Sequence, residues 1–113
     1  MFIDDDILTL ELMGKSASLL GYTPILCDSG LDSLKMLEEV YPDIIFVDHS
    51  MSDIDGISLI KQMRENPRIN GIGIVMLSAG HGSIDAKTAV DAGANKYIQK
   101  PLSLDGLAKT IHE

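Results

Sequence analysis

Apolar residues fall along the chain in two alternating kinds of segment. Short runs rich in β-branched residues occur at Phe2-Ile3, Pro24-Ile25-Leu26-Cys27, Ile44-Ile45-Phe46-Val47, Ile74-Val75-Met76-Leu77 and Tyr97-Ile98. Between them the apolar positions take helical spacing. Leu31, Leu34, Leu37 and Val40 recur at steps of three, and so do Ile57, Ile60 and Met63. Ser29 with Asp32 reads as a capping-box start to a second helix. Asp55 can cap a third, which ends before Asn66-Pro67. A fourth helix over about 84–92 carries a small-residue face of Ala86, Ala89, Val90 and Gly93, and Ser103 can cap a short fifth.

Strand and helix alternating through short connections call for a parallel sheet with helices on both faces. The continuous apolar runs at 44–47 and 74–77 suit strands buried on both sides. The expected fold is therefore an α/β, flavodoxin-like (βα)5 three-layer sandwich around a five-stranded parallel sheet. Its strand order, 2-1-3-4-5, is taken from the common five-stranded arrangement rather than read from the residues.

Polar residues stand at the ends of the strands. Asp4-Asp5-Asp6 comes after the first, Asp48 after the third, Ser78 after the fourth and Lys100-Pro101 after the fifth. In an open α/β sheet the ligand crevice lies beyond the carboxyl ends of the strands, at the switch in strand order. These positions then converge on one edge, with Asp4, Asp5 and Asp48 crowded between the first and third strands. Crowded carboxylates repel, and a hard divalent cation or a nearby ammonium relieves them. Lys100 supplies the ammonium, and Ser78 offers a hydroxyl to a phosphoryl oxygen. A carboxylate nucleophile, a metal and charge-neutralising donors make a phosphoryl-transfer site. No Gly-rich phosphate loop succeeds any strand, which disfavours a nucleotide-hydrolysing fold.

Composition narrows the classes. The 113 residues are 45 % hydrophobic and 23 % charged, one domain of ordinary globular usage. A net charge of −8 repels a phosphate backbone, so this domain is not expected to grip nucleic acid. No apolar run approaches the ~20 residues of a membrane span. A lone cysteine, Cys27, suits a reducing compartment, and a cytoplasmic location is the expectation.

Asp4-Asp5-Asp6, Pro42-Asp43-Ile44-Ile45-Phe46-Val47-Asp48 with Asp53-Ile54-Asp55-Gly56 after it, Ser78-Ala79, and Asp91-Ala92-Gly93-Ala94 with Lys100-Pro101 together resemble the receiver domain of two-component response regulators. The resemblance covers residues 1–113, read as a receiver domain trimmed at both ends or excised from a longer regulator. It implies Asp48 as phosphoacceptor, accepting from a sensor histidine kinase or phosphotransfer protein. It implies Mg²⁺, with Mn²⁺ as the alternative, held by Asp4, Asp5, Asp48 and the backbone carbonyl of Ser50. Ser78, Ala79 and Lys100 become phosphoryl-binding, Ser78 and Tyr97 the switch pair, and the bond before Pro101 cis. The fourth helix, fifth strand and fifth helix become the output face and the surface of a phosphorylation-dependent dimer.

Some residues depart from the pattern. Ser52 stands where the family commonly has proline, an expected loosening of the loop after Asp48. His49 is an unusual neighbour of the acceptor, expected as a loop side chain, and Ser50 and Gly80 are small at positions that tune dephosphorylation. Asp6, Asp53 and Asp55 are expected as loop and cap residues, and Cys27 as core. Two other functions compete with a signalling domain that is not an enzyme. An aspartate-nucleophile phosphatase would usually carry a second aspartate two residues after the nucleophile, where Ser50 stands. A pseudo-receiver that binds partners without phosphate would not need the complete acidic set and Lys100.

Overall fold

A computed structural model of the chain describes residues 1–79 and 86–112. Five strands and five helices alternate: β1 (Phe2–Ile3), α1 (Ile7–Leu19), β2 (Leu26–Cys27), α2 (Gly30–Met36), β3 (Ile44–Asp48), α3 (Gly56–Glu65), β4 (Gly73–Ser78), α4 (Ala86–Ala92), β5 (Lys96–Gln99) and α5 (Leu104–His112). The strands form one parallel sheet of order β2-β1-β3-β4-β5, as expected. The longest strands, β3 and β4, stand inside the sheet. Residues 45–47 and 74–77 are buried without interruption, because helices cover both faces and neither side of the pleat meets water.

The period-two alternation of the strands divides the core. Ile45, Val47, Ile74 and Met76 point to one side and pack with Leu59, Ile60 and Met63 of α3 and Ala89 and Ala92 of α4. Phe46, Val75 and Leu77 point to the other and meet Leu10, Met13 and Ala17 of α1 and Leu107 of α5. Phe2 stacks on Phe46 there, with ring centroids 5.0 Å apart. Cys27 is buried in the first of these layers, as expected of a core residue.

The helix starts agree with the sequence. Ser29 accepts from the Asp32 N–H, Asp55 from Ser58 and Ser103 from Gly106. The apolar stripes are less faithful. Leu37 is buried and Leu34 half-buried against the core, as the spacing predicts, but Leu31 is exposed, α2 ends at Met36 well before Val40, and Ser33 also faces inward. On α4 the inward residues are Ala89 and Ala92, while Ala86 and Val90 face solvent. A helix of 7 residues is turned by what it packs on, and here the sheet selects the pair three apart. Residue 84, expected in this helix, and Gly80 lie outside the described residues.

A single arginine locks the edge of the sheet away from the acidic residues. Arg64, in the last turn of α3, donates to the carbonyls of Gly93, Asn70 and Ile72 and to Asn95 Oδ1. Asn95 Oδ1 also accepts from the Ile74 N–H, so the guanidinium ties the α4–β5 turn to the start of β4. Gly93 turns there with φ +122°, and a Cβ would lie 2.5 Å from Arg64 Cγ. We expect Arg64→Ala to lower the unfolding free energy by about 2–3 kcal/mol. Gly93→Ala should cost about 1–3 kcal/mol through its backbone conformation alone. The double variant should lose less than the sum, because the added methyl no longer meets the arginine. Urea denaturation of the three variants checks all of this.

Candidate functional site

The sheet order makes β1 and β3 neighbours, which brings together carboxylates distant in sequence. Asp4 comes directly after β1 and Asp48 ends β3, and both are buried, while Asp5 is exposed at the rim. Oxygens of Asp4, Asp5 and Asp48 all lie within 4.8 Å of one another. At an effective dielectric of about 20, unit charges at such a separation repel by roughly 3–4 kcal/mol. Something must offset that repulsion.

Lys100 does part of it. Its Nζ stands 2.8 Å from Asp4 Oδ2 and 2.6 Å from Asp48 Oδ1. The residue is placed by the backbone, since the Lys100 N–H donates to the Ser78 carbonyl at 2.6 Å and the Lys100–Pro101 bond is cis, as the resemblance implied. Burial pulls the ammonium's pKa down, but its bonds to Asp4 and Asp48 outweigh that and hold it above the ordinary lysine value. Burial also raises the Asp48 carboxyl, Lys100 pulls it back, and Asp4 and Asp5 push it further up.

The remaining bonds come from the backbone. Asp4 Oδ1 accepts from the Asp6 N–H at 2.9 Å, and Asp5 Oδ2 accepts from the Ser52 N–H at 2.9 Å. Three carboxylates against one ammonium leave two negative charges among the described residues. An all-oxygen donor set with that imbalance fits a hard divalent cation.

Behind Asp48 the chain turns in a loop whose base is closed by the Gly56 N–H donating to the His49 carbonyl at 2.9 Å. A Cβ on residue 56 would come within 2.6 Å of the Asp48 carbonyl oxygen, so glycine permits this approach.

The other expected residues sit around this centre. Ser78 ends β4 fully buried, next to the strand that carries Asp48. Ala79 is exposed and, with Lys100 and Pro101, lines a cleft of about 390 Å³ against Thr9, Leu12 and Met13 of α1. Ser50 is exposed in the loop, its hydroxyl 3.4 Å from the Nδ1 of a half-buried His49. Tyr97 lies on β5 opposite Met76, half-buried against the core layer under α4. Asp6 starts α1 and accepts from the Thr9 hydroxyl.

Two contributions escaped the sequence. Ser52, expected to loosen the loop, supplies an N–H bond that a proline could not. Asp53 is more than a loop residue, for its carboxylate accepts from the Ser29 hydroxyl and the Gly30 and Leu31 N–H groups at the start of α2. Those bonds lower its pKa to about 2. Its stabilising effect is therefore complete above the ordinary carboxylate range and lost as pH falls through about 2.

Set against known proteins, a profile of the response regulator receiver domain matches residues 1–112. The chain belongs to the response regulator receiver domain family. It is 31 % identical over 107 residues to response regulator MprA of Mycobacterium ulcerans, an alignment covering 95 % of this chain and 45 % of that protein. The chain thus spans about half the length of that relative. It is 26 % identical over 111 residues to the polar-differentiation response regulator DivK of Brucella ovis, covering 98 % of this chain and 90 % of DivK. The receiver domain of Francisella response regulator 1452 shares the fold with a TM-score of 0.88 at 24 % identity, covering 98 % and 90 % of the two chains.

A receiver domain is a signalling domain, a phosphorylation-activated switch in two-component systems, and this chain is one. Receiver domains as a family bind Mg²⁺ through acidic residues and work with histidine kinases or phosphotransfer proteins. The cluster of Asp4, Asp5 and Asp48 could hold such an ion. Among the described residues no helix is long and apolar enough to cross a membrane.

Replacing Lys100 with Met keeps the length of the side chain and removes the charge. We expect a loss of about 3 kcal/mol at neutral pH, because Asp4 and Asp48 stay buried with no ammonium between them. The penalty belongs to the ionised carboxylates, and the Asp48 carboxyl, already raised by burial, rises further without Lys100, so the penalty shrinks as pH falls through the carboxylate range. Urea denaturation at pH 7 and near pH 4 distinguishes this from a packing defect, which would cost the same at both.

Proposed function

We propose that Asp48 is the phosphoacceptor of this receiver domain, taking its phosphoryl group from the phosphohistidine of a sensor histidine kinase or phosphotransfer protein. The observation that carries the reading is the Lys100 ammonium shared between Asp48 at 2.6 Å and Asp4 at 2.8 Å, at the carboxyl edge of β1 and β3. One Asp48 oxygen attacks phosphorus, a new O–P bond forms as the donor's P–N bond breaks, and the electron pair returns to the imidazole nitrogen. Lys100 then donates to the phosphoryl oxygens, joined by the Ser78 hydroxyl and the backbone at Ala79.

Asp4, Asp5, Asp48 and the Ser50 carbonyl are the groups that would hold Mg²⁺, or Mn²⁺ in its place. When bound, the ion supplies neutralisation of the charge gathering on the phosphoryl oxygens. The acyl phosphate carries about 1.5–2 negative charges where the free carboxylate carried one, and the added charge draws Ser78 toward it and lets Tyr97 turn inward. The output reaches the surface of α4, β5 and α5, which also serves as the interface of a phosphorylation-dependent dimer. The domain acts in the cytoplasm as a signalling module rather than an enzyme on outside substrates. Its negative charge keeps it from direct contact with nucleic acid.

Intact mass after incubation with acetyl phosphate and Mg²⁺ tests the acceptor. We expect one phosphoryl adduct on the wild-type chain and none on Asp48→Ala. An adduct retained by the variant would move the acceptor elsewhere, and steady turnover of a phosphate ester by the wild type would make the protein a phosphatase. The cation has its own measurement. At ten times its Kd, Mg²⁺ should raise the unfolding free energy by about 1.4 kcal/mol. Asp5→Asn should abolish that gain in a melting experiment, and a melting temperature indifferent to Mg²⁺ would favour a pseudo-receiver.

A further inference from the structure

The loop between Asp48 and α3 is fastened at three places. Its base closes through Gly56 and His49. Further along, two consecutive residues reach outward in different directions. The Ser52 N–H donates to Asp5 Oδ2 at 2.9 Å, across 47 positions of sequence. Asp53 accepts from the Ser29 hydroxyl at 2.6 Å and from the Leu31 and Gly30 N–H groups at 2.9 and 3.3 Å, all at the start of α2. Its Oδ1 also accepts from the Ile54 N–H at 2.9 Å. A short segment thus joins an acid of the cluster on one side to a neighbouring helix on the other.

Asp5 needs such a bond. It is exposed, and its nearest charged neighbours in the cluster are two more carboxylates, so repulsion favours rotamers that swing it into solvent. Lys100 is engaged with Asp4 and Asp48. Among the described residues, the hydrogen bond found at the Asp5 carboxylate is the one from Ser52. A backbone N–H can serve as a fixed donor only if its peptide is held, and Asp53, bonded next door to the first turn of α2, holds it.

We infer that the Ser52 N–H is the positioning donor that keeps Asp5 turned toward Asp4 and Asp48, and that Asp53 is the positioning residue that fixes this donor. Cation affinity then depends on residues 52 and 53 although neither side chain is a ligand. The inference rests on the cation site proposed above.

Isothermal titration with Mg²⁺ alone, at a temperature where every variant is folded, provides the test. Ser52→Ala keeps the N–H and should bind within about twofold of the wild type. Ser52→Pro removes the N–H and should bind about tenfold more weakly, the usual size of an outer-sphere loss at a metal. Asp53→Ala leaves the peptide chemistry at 52 intact but frees it, and should weaken binding by a smaller factor. The melting temperature of the cation-free variants provides the contrast, since a purely structural role would lower it and leave the Mg²⁺ Kd of the folded protein unchanged. Binding by Ser52→Pro as tight as the wild type, or tighter because the amide merely competes for an oxygen of Asp5, overturns the inference. If the proline variant does not fold, Asp53→Ala decides alone, and an unchanged Kd there overturns it. A wild-type chain that takes up no Mg²⁺ would instead remove the cation site itself.

Discussion

The Lys100 ammonium, held between Asp4 and Asp48, is the constraint around which the edge of the sheet is arranged. Both carboxylates are almost fully buried, where a charge without a partner is costly. The ammonium can reach both only if β1 and β3 are adjacent and the chain leaving β5 returns across the end of β4. Parallel order β2-β1-β3-β4-β5 supplies the first condition, and the Lys100 N–H on the Ser78 carbonyl supplies the second. The contact spans 96 positions between Asp4 and Lys100, so it depends on the placement of β1, β3, β4 and β5 together. Function and folding meet in that one side chain.

The rest of the molecule supplies a base rigid enough to hold three like charges. Alternate residues of β3 and β4 are sunk in two separate layers, so a shift of either strand by one position would exchange every one of them between layers. The fixed register places Asp48 opposite Leu77 and leaves Ser78 as the next residue of β4. Chemistry-bearing groups therefore stand on strand ends whose position is set by burial beneath them. The helices contribute little to the site directly, and their own starts are set by local caps at Ser29, Asp55 and Ser103.

How far the sequence revealed all this depended on the range of the interaction. The strands were legible because β3 and β4 are buried on both sides and leave continuous apolar runs, and the acids were legible because polar residues at the ends of such runs stand out. On α2 and α4 the apolar spacing gets part of the inward face right, Leu37 and Ala89, and misplaces Leu31 and Val90 for one reason. A helix of two turns carries too few apolar residues to fix its rotation, so the sheet beneath decides that Ser33 faces in and Val90 faces out. Asp53 reads as a loop residue in the sequence because its partners lie 22 to 24 positions away and carry no matching motif. Ser52 stands out in the sequence only as a missing proline. A backbone N–H has the same chemistry in nearly every residue, so its role is invisible until the fold brings Asp5 to it.

Charge sets the remaining logic of the site. Lys100 is already shared by two carboxylates, and under the proposed reaction the acyl phosphate replaces the single charge of Asp48 with about 1.5–2. One ammonium cannot serve Asp4 and a phosphoryl group equally, and the larger charge would draw it. Asp4 is then left buried with the Asp6 N–H as its remaining hydrogen bond among the described residues. A divalent cation beside Asp4 and Asp5 would balance that loss, and under the proposed reaction the acidic pair would matter to the phosphorylated state as much as to the transfer. It also explains why an exposed acid such as Asp5 should be tethered at all. A ligand free to swing away would fail when the charge it has to balance is greatest, and the loop that tethers it begins at the acceptor itself.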